Sequence, residues 1–340
     1  MKIALIITTI NVPTVLQLYR KLDSTVHFFV AADEKTPLEA YQFCADIPDC
    51  EIYSPDRQNK LGYECSSLLG WSTVTRRNIA LLEALKWGAE IVVTIDDDNM
   101  AMDDPYFWYF QKLLDNQWPW VGLQIGSSLC WFDPGSLQFS RDNRTVTQRG
   151  FPQRYPMHPI VKPIIGARIG VAQGMILGDP DTSAIDRISQ QPEVHQVSEL
   201  LRAGSVVNLN TWTVFNTQNT AFLRELAPAM FCNPHFGRYD DIYASLMTQR
   251  IMRERGLHVH LGQPFVWQQR NDHDLLKDLA AEQWGAEHIL EFADYLKRSP
   301  LPASISVVEQ CIILTNGCAL FSDDAKEVAE AWYRDCERVL

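Results

Sequence analysis

Three consecutive carboxylates, Asp96, Asp97 and Asp98, follow five β-branched residues, Ile91-Val-Val-Thr-Ile95. The β-branched run suits a strand buried on both faces. Adjacent negative charges repel one another, and the repulsion grows as solvent is withdrawn. A solvated turn relieves it without further consequence. A divalent cation relieves it with chemistry, because Mg²⁺ and Mn²⁺ take oxygen ligands and are commonly held by one or two carboxylates together with substrate phosphates. Carboxylates just past the carboxyl end of a central strand also stand where open α/β sheets bind their ligands. In an Asp-x-Asp arrangement, Asp98 would hold the metal. Asp96 would share it or take a sugar or ribose hydroxyl, with Asp97 beside them, and the metal would hold a diphosphate.

A second carboxylate pair, Asp240 and Asp241, stands just before a helical pattern that starts at about Ile242. There the helix dipole favours negative charge, so capping competes with general-base chemistry. The expected division makes Asp241 the catalytic or acceptor-binding group and Asp240 mainly structural. Arg76 and Arg77 fall in the first turn of another helix, where cations oppose the dipole and an external anion such as a diphosphate would relieve them. Arg149 sits in a stretch rich in Pro and Gly, Gln148-Arg-Gly-Phe-Pro-Gln-Arg154, and is expected at the sugar. Side-chain amides crowd residues 214–222, Asn219 among them; buried, they need partners that a hydroxyl-rich ligand or ordinary turn bonds would supply. His273, in a polar turn, is a candidate third metal ligand beside Asp98 and Asp96.

The elements that must position these groups read as α/β. Residues 3–8 form a buried strand ending in Thr8, Thr9 and Asn11. A helix opened by Pro13 follows, then a strand over 26–31 that ends near Asp33. This is a βαβ unit; Thr8, Thr9, Asn11 and Asp33 at its strand ends are candidate nucleotide contacts. Residues 38–70 look irregular. Residues 72–88 read as a helix with Ser/Thr caps and Gly88 as its stop. The aromatic helix after Asp104-Pro105 reads as core. Short strands are expected at 121–125 and 129–132, and a long loop region over 133–170. An apolar run at 173–181 carries Gly174, a further candidate contact. A polar helix is expected at 183–203, and a strand at 257–261. Helices at 286–297, 303–315 and 324–339 close the chain. The expected fold is therefore α/β, with a Rossmann-like, mixed central sheet over residues 1–285 and a helical extension over 286–340 packed on it.

The bulk numbers narrow the function. The 340 residues are 46% hydrophobic and 21% charged, which predicts an ordinary folded core. The net charge of −12 argues against a long nucleic-acid surface. The eight cysteines contain no Cys-x-x-Cys pair, so neither a zinc site nor a disulfide framework is predicted. The apolar start breaks at Thr8-Thr9-Ile10-Asn11, too soon for a signal peptide, and no run reaches a membrane span. A cytoplasmic enzyme is expected, in which the sequon Asn143-Arg-Thr145 carries no glycan. Sequence leaves the oligomeric state and the acceptor open.

Several stretches, in order, resemble the reversibly glycosylated polypeptides, a family that includes UDP-arabinopyranose mutases. Thr94-Ile-Asp-Asp-Asp98 is similar to that family's aspartate motif, and Arg149-Gly-Phe-Pro152 to its Arg-Gly-Tyr-Pro. Residues 175–181, Gly237-Arg-Tyr-Asp-Asp241 and Gly262-Gln-Pro-Phe-Val-Trp267 resemble its later motifs. The resemblance implies a GT-A fold, a UDP-sugar substrate and Mn²⁺ or Mg²⁺. It also implies that Arg149 stands where the family has an arginine that can itself take up sugar. The family's second arginine lies farther along than Arg154, and residues 205–222 diverge. Transfer of sugar to a separate acceptor is therefore the leading expectation. Sugar ring-form mutase activity and a self-glycosylating scaffold are the alternatives.

Overall fold

The computed structural model describes residues 1–117, 119–152, 159–270 and 274–340. Its strands are β1 (Ile3–Thr9), β2 (His27–Ala32), β3 (Cys50–Tyr53), β4 (Ile91–Ile95), β5 (Asn99–Ala101), β6 (Trp120–Gly126), β7 (Gln138–Ser140), β8 (Ile160–Gly178), β9 (Val194–Val197), β10 (Ser205–Val207), β11 (Asn219–Leu223) and β12 (Leu257–Gln268). Its α-helices are α1 (Leu16–Leu22), α2 (Leu38–Ala45), α3 (Pro55–Lys60), α4 (Arg77–Trp87), α5 (Tyr106–Leu114), α6 (Ala184–Gln190), α7 (Glu199–Arg202), α8 (Asp240–Glu254), α9 (Leu275–Arg298), α10 (Val307–Asn316) and α11 (Asp323–Val339). The described residues make an α/β fold around one mixed sheet.

Four parallel strands, in the order β3-β2-β1-β4, form its first half. Antiparallel β11 then lies against β4, with Asn219 opposite Ile95, and passes the sheet on to β8. The long β8 pairs in parallel with β12 and antiparallel with β6. Both faces are covered, and the strands show it by alternation. On β1, Ala4 and Ile6 join one hydrophobic cluster while Leu5 and Ile7 join the other. On β4, Val92 faces the first and Ile91, Val93 and Ile95 the second. Period-two side-chain direction makes one β-branched run serve two cores. The second face is closed by Leu16 and Tyr19 of α1 and by Tyr106, Phe107 and Phe110 of α5. The aromatic helix is core, as expected. The first face is closed by α4, α8 and the C-terminal helices, whose Trp332 is fully buried.

Several expected boundaries move. Residues 38–70 hold α2, β3 and α3; β3 is a short edge strand, half-buried over most of its length, so its pattern is faint. No strand forms at 129–132. The expected loop over 133–170 contains β7 and the start of β8, whose first half is exposed and carries Pro163 and Gly166. At 183–203 a single helix is broken by left-handed Gln191 and then Pro192, leaving α6, β9 and α7. β12 runs past its expected end at 261 as far as Gln268. α9 begins at Leu275, so the expected boundary after residue 285 falls inside a continuous helix. No helix among the described residues is long and apolar enough to cross a membrane, and all eight cysteines are free.

Candidate active site

The cleft opens at the carboxyl ends of β1 and β4, and each aspartate after β4 has a different partner. The turn is closed by Asn99, whose Oδ1 accepts from the Asp96 amide at 3.0 Å. Asp97 accepts from Thr9 Oγ1 at 2.5 Å and Asn11 Nδ2 at 3.3 Å, which ties it to the end of β1. Asp96 pairs with Arg77 Nη2 at 2.5 Å. Asp98 accepts from Gln268 Nε2 at 3.1 Å, at the end of β12. Burial, with Asp96 nearby, pushes Asp98 up to about 6; burial also raises Asp97. Thr8 lines the same cleft and donates to Ala31 O.

The two adjacent arginines part company. Arg77 heads α4, reaches into the cleft and donates to Thr217 O as well as to Asp96. Burial opposes its charge, but Asp96 more than offsets this and holds the guanidinium above its usual range. Arg76 turns away into the interior. It donates to Gln58 Oε1 at 2.8 Å, Ser66 O at 2.8 Å and Ser66 Oγ at 3.1 Å, and stacks 3.8 Å over Trp71. The expectation that Arg76 meets a diphosphate is therefore corrected: consecutive helical residues do not share a face. Asp33 is also displaced from its expected role as a base contact. It is buried and accepts from the Ser72 amide at 2.8 Å, so it fastens the loop that carries Ser72, Thr73 and Val74 to the cleft. Asn219 and Gly174 lie beneath the site and are structural rather than ligand-facing. Asn219 donates to Pro264 O and accepts from Tyr106 Oη, and Gly174 leaves room for that amide.

Opposite the aspartate turn stands a network built on Arg149. Its Nε donates to Asp181 at 3.0 and 3.1 Å. Nη2 donates to Asp181 at 2.7 Å and to Asp241 at 3.1 Å. Nη1 donates to the carbonyl of Arg238. Burial opposes the charge on Arg149, yet the two carboxylates hold its pKa well above the usual range. Burial alone would raise Asp181, but Arg149 and Arg270 hold it well below the carboxylate range. Arg270 Nη2 is 3.6 Å from Asp181, while its Nε and Nη2 are buried without hydrogen-bond partners.

The paired aspartates at the start of α8 also have unlike partners. Asp241 is taken up by Arg149 and by the amide of Thr217 at 3.2 Å. Asp240 Oδ1 accepts from the Asp241 amide at 2.8 Å, and its buried Oδ2 has no partner. Burial, then Asp241, pushes the Asp240 carboxyl up to about 7. Asp241 is thus the ion-paired member of the two, and Asp240 has the free oxygen.

One cleft of about 310 Å³ joins both groups, with Asp96, Asp97 and Asp98 in its lining together with Arg149, Asp240 and Asp241. Sequence reading missed Asp181, Thr217, Gln218, Arg238, Gln268 and Arg270, which also line it. Asp181 and Arg238 stood inside stretches already singled out, and Gln268 and Arg270 lay in a polar turn credited only to His273. His273 and Arg154 lie outside the described residues.

Among the described residues, no group of three or more His, Cys, Asp or Glu side chains converges as a metal cage. The donors present are the hard oxygens of Asp96 and Asp98, and the Gln268 carbonyl oxygen, buried without a partner. That set fits a cation completed by substrate phosphates rather than by protein alone.

A family model described as reversibly glycosylated polypeptide matches residues 1–319. The chain is 24% identical over 276 residues to a probable UDP-arabinopyranose mutase 1 of Solanum tuberosum, covering 78% of this chain and 69% of that protein. It is 24% identical over 318 residues to UDP-arabinopyranose mutase 3 of Arabidopsis thaliana, covering 91% of this chain and 81% of that one.

Proposed function

The chain belongs to the reversibly glycosylated polypeptide family, and from that premise we propose that its cleft binds a UDP-sugar with Mn²⁺ or Mg²⁺ and does chemistry at the sugar's anomeric carbon. The observation that carries this reading is the single cleft shared by the aspartate turn and the Arg149 network. The parallel β3-β2-β1-β4 half-sheet followed by antiparallel β11 supports a GT-A assignment. Asp98 and Asp96 would hold the cation with the diphosphate oxygens, and Gln268 would orient Asp98. When bound, the cation supplies positive charge to the diphosphate, which is the leaving group if the sugar is transferred. Arg77 and Arg270 add fixed cationic charge in a partly water-excluded cleft, where such charge acts most strongly. Thr8, Thr9 and Asn11 would border the nucleoside.

Two reactions fit this site. Sugar transfer to a separate acceptor needs a second molecule to enter. Exchange between pyranose and furanose forms keeps the sugar on its nucleotide, and the names of the two relatives favour it. A cytoplasmic setting with a soluble donor goes with either.

The test is incubation with UDP-arabinopyranose, UDP-xylose, UDP-glucose and UDP-galactose, with Mn²⁺ and with EDTA. Nucleotide products are separated and the protein is weighed intact. Isomerised UDP-sugar indicates the mutase, and free UDP with a glycosylated acceptor the transferase. Stoichiometric mass gain alone indicates a self-glycosylating scaffold. If no UDP-sugar binds or reacts, the reading fails.

A further inference from the structure

Asp240 is 4% exposed, lines the cleft and has one oxygen already engaged by the Asp241 amide. Its other oxygen, Oδ2, is buried and unpartnered. A buried polar atom left unmade costs the desolvation of that group, so the site is incomplete as it stands. Asp241 has no such vacancy, because Arg149 and Thr217 occupy both its oxygens. Two consecutive carboxylates of one helix turn are thus held in unlike environments. The free oxygen of Asp240 faces the cleft, whereas Asp241 is taken up by the protein itself.

Resting on the UDP-sugar reading above, we propose that Asp240 is the catalytic residue that gives and takes the proton at the sugar. Asp241 is a positioning residue that fixes Arg149 beside it. In ring-form exchange, the bond from C1 to the ring oxygen breaks, and that oxygen takes the proton from Asp240 Oδ2. Another hydroxyl of the same sugar closes on C1 and returns its proton to the carboxylate, so atoms and charge balance over the turn. In transfer to an acceptor, the acceptor hydroxyl bonds to C1 as the bond to the diphosphate breaks. Its proton passes to Asp240, and the bonding electrons leave with the diphosphate.

The surroundings suit a group that works in both directions. Asp241 faces Asp240 from its own helix, Arg149 from the loop after β7, Arg77 from α4 and the Cys232 thiol from the segment before α8. Burial and Asp241 raise the carboxyl towards neutrality, and the two arginines stop it from rising further. A proton donor and acceptor is most effective when it titrates near the working pH.

The experiment compares wild type, Asp240→Asn and Asp241→Asn between pH 5 and 9 with Mn²⁺ and the UDP-sugar from the panel that wild type turns over fastest. Binding is followed by calorimetry and folding by thermal melting. Asp240→Asn is expected to bind the UDP-sugar, lose roughly 10²–10⁴-fold in kcat, and lose the wild-type pH limb near neutrality. Asp241→Asn is expected to slow turnover while keeping that limb. As a guard against misfolding, Asp240→Ala is assayed with added formate, which should restore part of the rate in Asp240→Ala and none in Asp241→Ala. Near-wild-type turnover and an unchanged pH profile in Asp240→Asn would overturn the proposal and leave the UDP-sugar reading standing. A wild type that neither binds nor turns over any panel member would instead remove that reading, and this proposal with it.

Discussion

Asp98 is held protonated up to about 6 by burial and by Asp96. Its folded pKa is raised, so without a cation its contribution to stability is complete below the unfolded carboxylate value and is lost as pH rises through about 6. A cation reverses the preference, since it binds the deprotonated form. Mn²⁺ with UDP-sugar should therefore raise the melting temperature more at pH 7.5 than at pH 5, and Asp98→Asn should abolish the difference. An equal Mn²⁺ response in Asp98→Asn would remove Asp98 from the metal. Arg149 poses a different residue-scale question, because it is clamped between two buried carboxylates. Arg149→Ala is expected to abolish turnover and also to cost roughly 3–5 kcal/mol, the usual penalty for leaving buried charge unpaired. Adding Asp181→Asn should recover part of that loss, since the two residues share one network. Chemical denaturation of the four proteins of the cycle measures the coupling, and strict additivity would contradict it. The ion pairs to Asp181 and Asp241 make Arg149 part of the structure as well as of the cleft.

At the scale of elements, the site depends on three strands that cross closely. Gly174 of β8 pairs with Gly262 of β12, and a Cβ at Gly174 would collide with the Asn219 amide and the Pro264 carbonyl. Gly174→Ala is thus expected to destabilise by about 1–3 kcal/mol, the range for overpacking a filled interior. It should also weaken UDP-sugar binding, because Gln268 lies farther along the same β12. Melting temperature paired with calorimetry checks both; unchanged binding in the variant would detach β12 from the site. Helix ends tell a simpler story. α4 stops at Gly88 with φ of 92°, a left-handed cap that glycine adopts without strain. α10 opens with a capping box between Ser306 and Glu309. Far from the cleft, Ser306→Ala should cost about 1 kcal/mol and leave turnover untouched.

Across the whole molecule, the C-terminal helices are part of the same core as the sheet. Trp332 of α11 is fully buried, stacks on Phe231 at 5.1 Å and donates from its indole to Pro228 O at 2.9 Å. Phe231 adjoins Cys232, whose backbone is gripped on both sides by Asn78 of α4. α9 is tied to the site from another direction, through Arg238 to Asp278 and Glu282, each at 3.2 Å. Trp332→Ala should therefore cost roughly 3–5 kcal/mol and melt the protein in one transition. A variant that loses α11 alone, with the sheet and its UDP-sugar binding intact, would show the helices to be a separable attachment.

The amino-acid sequence by itself determined what local rules govern. β-branched residues before three aspartates require a buried strand opening onto a charged turn, and Gly88 marks a helix stop. The nearly unbroken apolar runs of β1 and β4 require cover on both faces. Composition predicted an ordinary folded core, and the order of strands and helices an α/β fold. Tertiary structure decided what depends on direction and on distant partners. Arg76 and Arg77 are neighbours in sequence, yet the turn of the helix sends one into the core and the other into the cleft. Asp240 and Asp241 share a helix end, and only the arrival of Arg149 and Thr217 makes Asp241 the bound partner and leaves Asp240 Oδ2 free. Asp181 and Arg270 were not legible as site residues, because their meaning lies in each other, 3.6 Å apart beyond the paired ends of β8 and β12, and in Arg149, which pairs with Asp181. Spacing along a chain fixes which face of an element a residue occupies; which other face it meets is set by how the whole sheet packs.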